Sequence, residues 1–525
     1  MRGVVAAGHP DTAAAGLEIL EAGGTAADAV VAAAFAAMVA EASLTGLGAG
    51  GFALVRPPAG APRLLDFFVT APGKGRSPEE LRERSHLVQY YVPFRATTQL
   101  FNVGPSSCAV PGIVPGLTEL HSQFGRLAFE RVLEPAARLA RNGARLTPPQ
   151  DYLHDILAGI LTETDEMRAV FAPEGRLLRA GELLRMPDLA SSLQILADEG
   201  PETFRSGTLA RRMADSLEAA GGLLTLRDLE EYEVIERKPV ELRYRDLEIW
   251  SNPLPSSGGT LIAFTLLLLD RQDLSGGDAS GRALALAEAL RATTDARREG
   301  FDRNLYDPDF ARDFLSAAHV RKHLPGRGNT THLSVIDENG LAVSLTSSCG
   351  SGSGVVVPGT GIIMNNMMGE EDLNPGGYFA LAPGTRLTSM MAPTIALGRG
   401  RLLALGSAGS ERLRSAIVQI LVNIIDLGLD LQTAVNRPRM HVDGRTVHLE
   451  PGFPESVVEI LTRNGYEPHV WPEQDLFFGG VQIAGAKVAG TGSPVPDAGR
   501  PTGTGWTSFS GGGDPRRGGV ALTRT

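Results

Sequence analysis

Asn329-Thr330-Thr331-His332-Leu333-Ser334-Val335-Ile336-Asp337 opens a strand-like run about three-fifths of the way along a 525-residue chain. Thr331, Leu333 and Val335 alternate with Thr330, His332 and Ser334, the two-residue period of a strand with two distinct faces. Asn339-Gly340 follows as a two-residue hairpin signal, and Leu341, Val343 and Leu345 carry the alternation along a return strand. This register sets Glu338 opposite Leu341, Thr331 opposite Ser348 and Thr330 opposite Cys349. Ser348 then lies within roughly 5–8 Å of Thr330 across the ladder and can orient it. A threonine hydroxyl is a poor nucleophile without an adjacent base. The one base its own residue can supply is a free α-amino group, so a catalytic Thr330 requires scission between Asn329 and Thr330. By itself, Thr-Thr at a strand start is ordinary β-propensity, and His332 reads as a strand residue with a local hydrogen bond.

Upstream, Asp11 is expected to cap a helix running to about Ala22, ended by Gly23-Gly24, and Thr25 to cap an alanine-rich helix to about Ala40. The apolar residues of the second nearly encircle it, so it should be buried. Ser43 to Gly51 is glycine-rich and leads into a strand, Phe52–Val55; it lacks the lysine of a phosphate loop and opens no helix. Pro78 to Arg245 reads as mainly helical. Asn252 to Gly259 is a turn cluster before an apolar helix from Thr260, and a further helix spans 283–298. After Thr330 short strands alternate with glycine turns, interrupted by a helix over 413–427, and 486–513 is read as a flexible insertion. Helices followed by strands plus helices fit two domains, or one layered α/β unit drawing its sheets from both halves.

Apolar residues make up 43% and charged residues 21%, the balance of a globular enzyme. The net charge of −11, with no lysine and arginine block, argues against nucleic acid and anionic membranes as partners. The two cysteines, Cys108 and Cys349, suit a reducing compartment, and no basic stretch with an apolar h-region opens the chain; a cytoplasmic location is expected. The longest apolar run, Leu261 to Leu269, is too short to cross a bilayer.

The Asn329 to Asp337 stretch resembles the processing site of the gamma-glutamyltransferase (gamma-glutamyl transpeptidase) family of N-terminal nucleophile hydrolases. Further segments resemble the same family in the same order: Gly16 to Gly24, Leu44 to Gly48, Val110-Pro111-Gly112, Pro255 to Gly259, Asn365-Asn366, Ala392 to Ile395, Gly406-Ser407 and Asp514-Pro515-Arg516. The resemblance implies an α/β fold, a four-layer αββα sandwich built from both halves of the chain. It implies self-cleavage between Asn329 and Thr330 into a large piece, 1–329, and a small piece, 330–525. These stay associated, as one heterodimer or as a homodimer of heterodimers. Thr330 would be the nucleophile, Ser348 its supporting hydroxyl, and Gly409 and Ser410 the oxyanion donors. No metal or organic cofactor is implied; the partner is a small-molecule acyl donor, with gamma-glutamyl compounds and glutathione metabolism as the family default.

The substrate-binding positions depart from that pattern. Where glutamate-recognising members carry an arginine for the substrate α-carboxylate, this chain has Phe68; an asparagine is replaced by Gly350, a glutamine or glutamate by Met367, and one of two paired serines by Met390, beside Ser389. The acid that holds the substrate amine becomes Glu370. An arginine–carboxylate pair is directional and charge-assisted, and leaving a carboxylate unpaired against Phe and Met costs several kcal/mol. An altered acyl pocket is therefore expected, unless Arg386 or Arg412 supplies the missing charge. The alternatives are a C–C bond hydrolase acting beside a carbonyl in a natural-product pathway, and an unprocessed, non-catalytic binding homologue.

Overall fold

Each strand of the central hairpin buries both faces, and that demand shapes the rest of the architecture. The computed structural model describes the chain apart from residues 95–96, 277, 299–300, 308, 316–330, 410–411 and 489–504. Thr331–Asp337 and Ala342–Ser348 pair antiparallel. Leu333, Val335, Val343 and Leu345 point into one apolar core with the helix Ala26–Ala40, whereas Ile336 and Ala342 point into a second core facing another sheet. All six are fully buried, and each large aliphatic among them stabilises the fold by about 1.5–3 kcal/mol relative to exposure.

The first sheet has seven strands in the order Val520–Arg524, Gly3–Ala7, Thr331–Asp337, Ala342–Ser348, Gly50–Arg56, Arg63–Phe67 and Ile235–Arg237. The second has six: Trp506–Gly512, Gly480–Val488, Arg401–Ala408, Thr394–Gly398, Leu247–Ser251 and Val240–Tyr244. Between the sheets lie Phe52, Phe68, Trp250, Ile336, Leu402 and Ala484. Helices Pro10–Glu21 and Ala26–Ala40 cover the outside of the first sheet, and Ser257–Leu269 and Arg412–Ile425 that of the second. The result is a four-layer αββα sandwich. Its ladders cross residue 330 repeatedly: Gly3–Ala7 pairs with Thr331–Asp337, Gly50–Arg56 with Ala342–Ser348, and Leu247–Ser251 with Thr394–Gly398.

Several local expectations need correction. The hairpin register is offset by one: Thr331 pairs with Ser347, not Ser348. A two-residue Asn-Gly turn needs positive φ at both central residues, but here only Gly340 has it, at +79°. The Asp337 carboxylate instead accepts the Asn339 and Leu341 N–H groups at 2.9 and 3.2 Å, and the loop becomes Glu338-Asn339-Gly340. The first helix is capped by His9 rather than Asp11: the imidazole Nδ1 accepts the Asp11 N–H at 3.1 Å, and Pro10 occupies the first turn. Thr25 does cap the second helix, in a reciprocal box with Asp28. Every residue of that helix is buried, and its alanines let Gly16 approach Ala29 and Ala33. Within the span read as helical, Val88–Phe94 and Thr97–Val103 form a hairpin. The flanks of the expected insertion are also strand, with Ala486 paired to Phe509, while 489–504 lie outside the described residues.

Candidate active site

The geometry is clearest around the first described residue of the central strand. The Thr331 hydroxyl donates to Glu41 Oε2 at 2.8 Å, and Thr12 donates to Oε1 at 3.0 Å. Glu41 follows the buried Ala26–Ala40 helix, and burial pushes its carboxyl above the usual carboxylate range. On the opposite face His332 Nδ1 meets Thr346 Oγ1 at 2.8 Å and Nε2 meets Ser334 Oγ at 2.9 Å. Burial pulls the imidazole down to about 3, so it is neutral and structural. A Cβ on Gly406 of the facing sheet would lie 2.4 Å from that ring, which is why the strand needs glycine there.

Asn329, Thr330 and Ser410 lie outside the described residues. Ser348 is buried, pairs with Gly50 across the ladder, and accepts the Gly350 N–H at 2.7 Å. Gly50 packs in turn on the Phe68–Val69 backbone. Gly409 ends the Arg401–Ala408 strand with φ +111°, a conformation side chains avoid, and a Cβ there would sit 2.8 Å from Gly479 Cα. The strand-to-helix turn thus presses backbone against backbone ahead of helix Arg412–Ile425.

Phe68 stacks on Phe52 with ring centroids 5.3 Å apart, in the same apolar cluster as Met367. Gly350, Asn366 and Glu370 meet beside Ser348: a Cβ on Gly350 would lie 2.1 Å from Asn366 Oδ1 and 2.3 Å from Glu370 Oε1. Glu370 is half-buried, and among the described residues its Oε1 has no hydrogen-bond partner. Burial raises its carboxyl to about 7. Ser389 and Met390 sit on the loop held by Ser256 and Ser257, just beyond the Leu387 N–H that donates to the Val69 carbonyl at 3.1 Å. The Ser257 hydroxyl donates to the Ser389 carbonyl at 3.0 Å and touches Met390 Sδ at 2.7 Å. Met390 packs with Phe264 and Phe301, not with Phe68.

Neither arginine considered as a replacement clamp is available. Arg386 donates to the Phe68 and Glu233 carbonyls and to Tyr232 Oη, and faces Asp66 at 3.4 Å. Arg412 donates to the Phe477 carbonyl at 3.1 Å and lies 4.8 Å over that ring. Two functional candidates escaped the sequence reading. Glu41 carried the signal of a carboxylate ending an apolar helix; Arg517, beside Gly409, was visible only as the second of an arginine pair.

Restoring asparagine at position 350 is expected to destabilise the protein by about 1–3 kcal/mol. Asn366, which it would strike, is pinned by hydrogen bonds to Ser351 N, Ser351 Oγ and the Asn102 carbonyl. Denaturant unfolding of G350N checks this; an unchanged midpoint and slope would mean the pocket yields.

The gamma-glutamyltranspeptidase family model matches residues 12–523. The chain is 36% identical over 492 residues to the acylase ACY 1 proenzyme of Pseudomonas sp. (strain SE83), covering 89% of this chain and 87% of the relative. It is 30% identical over 508 residues to the glutathione hydrolase proenzyme of Escherichia coli (strain K12), covering 88% and 85%. The cephalosporin acylase structure from Bacillus halodurans superposes with a TM-score of 0.78 at 28% identity, over 99% of this chain and 95% of that one. The sandwich is therefore that of N-terminal nucleophile hydrolases, and the chain belongs to the gamma-glutamyltranspeptidase family of hydrolases and transferases.

Proposed function

We propose that the chain cuts itself between Asn329 and Thr330 and then transfers acyl groups from amide-type substrates through Thr330. The observation that carries this reading is the close approach of two strands from the two sheets, where a Cβ on Gly406 would lie 2.4 Å from the His332 ring. Thr331 begins a central strand of the first sheet, held by Glu41, and Gly409 ends the Arg401–Ala408 strand of the second. Thr330 Oγ attacks the acyl carbon and passes its proton to the residue's own α-amino group, whose pKa of about 7.7–8.0 suits neutral pH. The oxyanion is held by the Gly409 and Ser410 N–H groups. Collapse expels the amine, which takes that proton and leaves an ester on Thr330; water or a second amine then takes the acyl group. Ser348 supports the nucleophile. Pieces 1–329 and 330–525 stay together because their strands share both sheets.

The acyl portion lies against Phe68 and Met367, with no arginine clamp from the position that Phe68 fills, and Glu370 holds an amine when the substrate has one. The relatives named for acylase activity at 36% identity favour this amide chemistry with an altered acyl group over glutathione itself. Two bands on a denaturing gel, and an acyl mass added to the Thr330-containing peptide after incubation with acyl anilides, are the expected results. A single uncut chain that binds but never acylates would sink the reading.

Glu370 gives this site a pH signature. Its carboxyl is neutral below about 7 and charged above it, so amine-bearing donors bind better as pH rises through that value. For a gamma-glutamyl anilide, KM is expected to fall about tenfold from pH 6 to pH 8. E370Q should abolish this fall while leaving the later kcat rise that belongs to the Thr330 amine.

A further inference from the structure

Arg517 sits against Gly409 and forms no ion pair among the described residues. A Cβ built on Gly409 would lie 3.5 Å from Arg517 Nη2, and one on Gly480 would lie 2.6 Å from Arg517 Cδ. The side chain is half-buried, and its Nε has neither solvent contact nor a hydrogen-bond partner among the described residues. Its one hydrogen bond among the described residues, Nη2 to the Leu476 carbonyl, is 3.5 Å long, at the limit of such a bond. Burial lowers its pKa to about 10, so it is charged at neutral pH.

The described acids around it are engaged elsewhere. Asp514 pairs with Arg439 at 2.6 Å and Arg516 at 3.1 Å; Glu41 takes the Thr12 and Thr331 hydroxyls; Asp475 accepts the Phe477 N–H at 2.8 Å. The preceding residue, Arg516, makes the contrast. Its guanidinium engages Glu450, Asp514 and the Val435 and Arg437 carbonyls. A guanidinium taken partly out of water without an anion is costly, and its planar fork matches a carboxylate.

We propose that Arg517 is the anion anchor of the substrate site, taking a carboxylate carried by the substrate beside the Gly409 turn. The assignment rests on reading Gly409 as part of the active site. It gives the chain a positive group that the Phe68 position lacks. The carboxylate belongs either to the acyl portion or to the leaving amine.

Calorimetric binding to the full protein separates the two sources, with glutarate standing for an acidic acyl group, 4-aminobenzoate for an acidic amine, and glutaramide as the uncharged control. The wild type is expected to bind one of the acids at least tenfold more tightly than glutaramide. R517M should lose at least tenfold in that affinity with an unchanged melting temperature, and R517K should fall between. If R517M does not fold, R517K carries the comparison, since a point charge without the fork should still weaken binding severalfold. Equal binding of acid and amide by the wild type, or affinity unaltered in the folded variant, overturns the anchor. Self-cleavage is scored on the same preparations by gel. An uncut protein that binds acid through Arg517 would overturn the enzyme reading and leave the anchor standing.

Discussion

T330A is expected to purify as a single 55.5 kDa chain without acyl-transfer activity, where the wild type yields two pieces. One oxygen is asked to act twice. On the proposed mechanism the Thr330 hydroxyl of the precursor attacks the Asn329 carbonyl, the chain moves from nitrogen to oxygen, and water hydrolyses the resulting ester to free the Thr330 amine and hydroxyl; the same hydroxyl would then attack substrate. Alanine removes both steps. Nucleophile deletions cost about 10⁴ to 10⁶ in kcat even where the rest of the site survives. Folding should not suffer, because the sandwich is organised by ladders that begin at Thr331 and by the Glu41 contact to that residue's side chain. T330S is the informative companion. It keeps an oxygen and an amine and should cut, more slowly, and retain measurable turnover. Activity in uncut T330A, or two bands from it, would remove Thr330 from the chemistry.

The layered fold was legible because its central strands obey a strict two-residue period. Leu333 and Val335 face the helices while His332 and Ser334 face the second sheet, and a one-residue change of face would have exposed the whole set. Register was less legible. It turned on whether Asn339-Gly340 or the Asp337 carboxylate governed the loop, a competition between backbone preference and one side-chain acceptor. Glycine-rich segments misled in the other direction. Gly511 and Gly512 read as a flexible tract, yet a Cβ on Gly511 would lie 2.5 Å from that of Ala521, so glycine there serves close packing of strand on strand. The helix expected from Thr260 begins at Ser257, and within its first turn the missing Cβ of Gly258 would lie 2.0 Å from the Met390 carbonyl, again a glycine serving close packing.

Site residues divided along similar lines. Gly409 was named through the family resemblance alone, and its positive φ and close approach to Gly479 are what the structure adds. Residues marked out by who is left unpaired carried no signal in the chain. Arg386, Arg412 and Arg517 are equivalent letters in the sequence. Three-dimensional pairing alone separates the first, spent on the Phe68 backbone, from the last, which forms no ion pair among the described residues although Asp514, Glu41 and Asp475 lie around it. Burial has the same effect on Glu370, whose shift to about 7 follows from its enclosure and from no pattern of neighbours along the chain.

G409A is expected to lower kcat by about 10² to 10³ with little change in KM. The residue holds φ +111°, and an alanine methyl would meet Gly479 Cα at 2.8 Å, so both torsion and contact push the turn out of place. On the proposed mechanism the donor is the Gly409 backbone N–H, which survives the substitution; what would change is its aim. Since an oxyanion forms only as the acyl carbon becomes tetrahedral, misdirecting that donor raises the barrier without weakening the ground-state complex. A displacement near 1 Å is enough to cost about 10²-fold. Gly444 supplies the control: it also has positive φ, +59°, but nothing lies within 4 Å of the methyl it lacks. G444A should therefore lose a little stability and keep full kcat. If G409A keeps its turnover number while G444A does too, the turn is only a tight corner of the sheet; if kcat alone collapses in G409A, the missing methyl protects the aim of a single N–H.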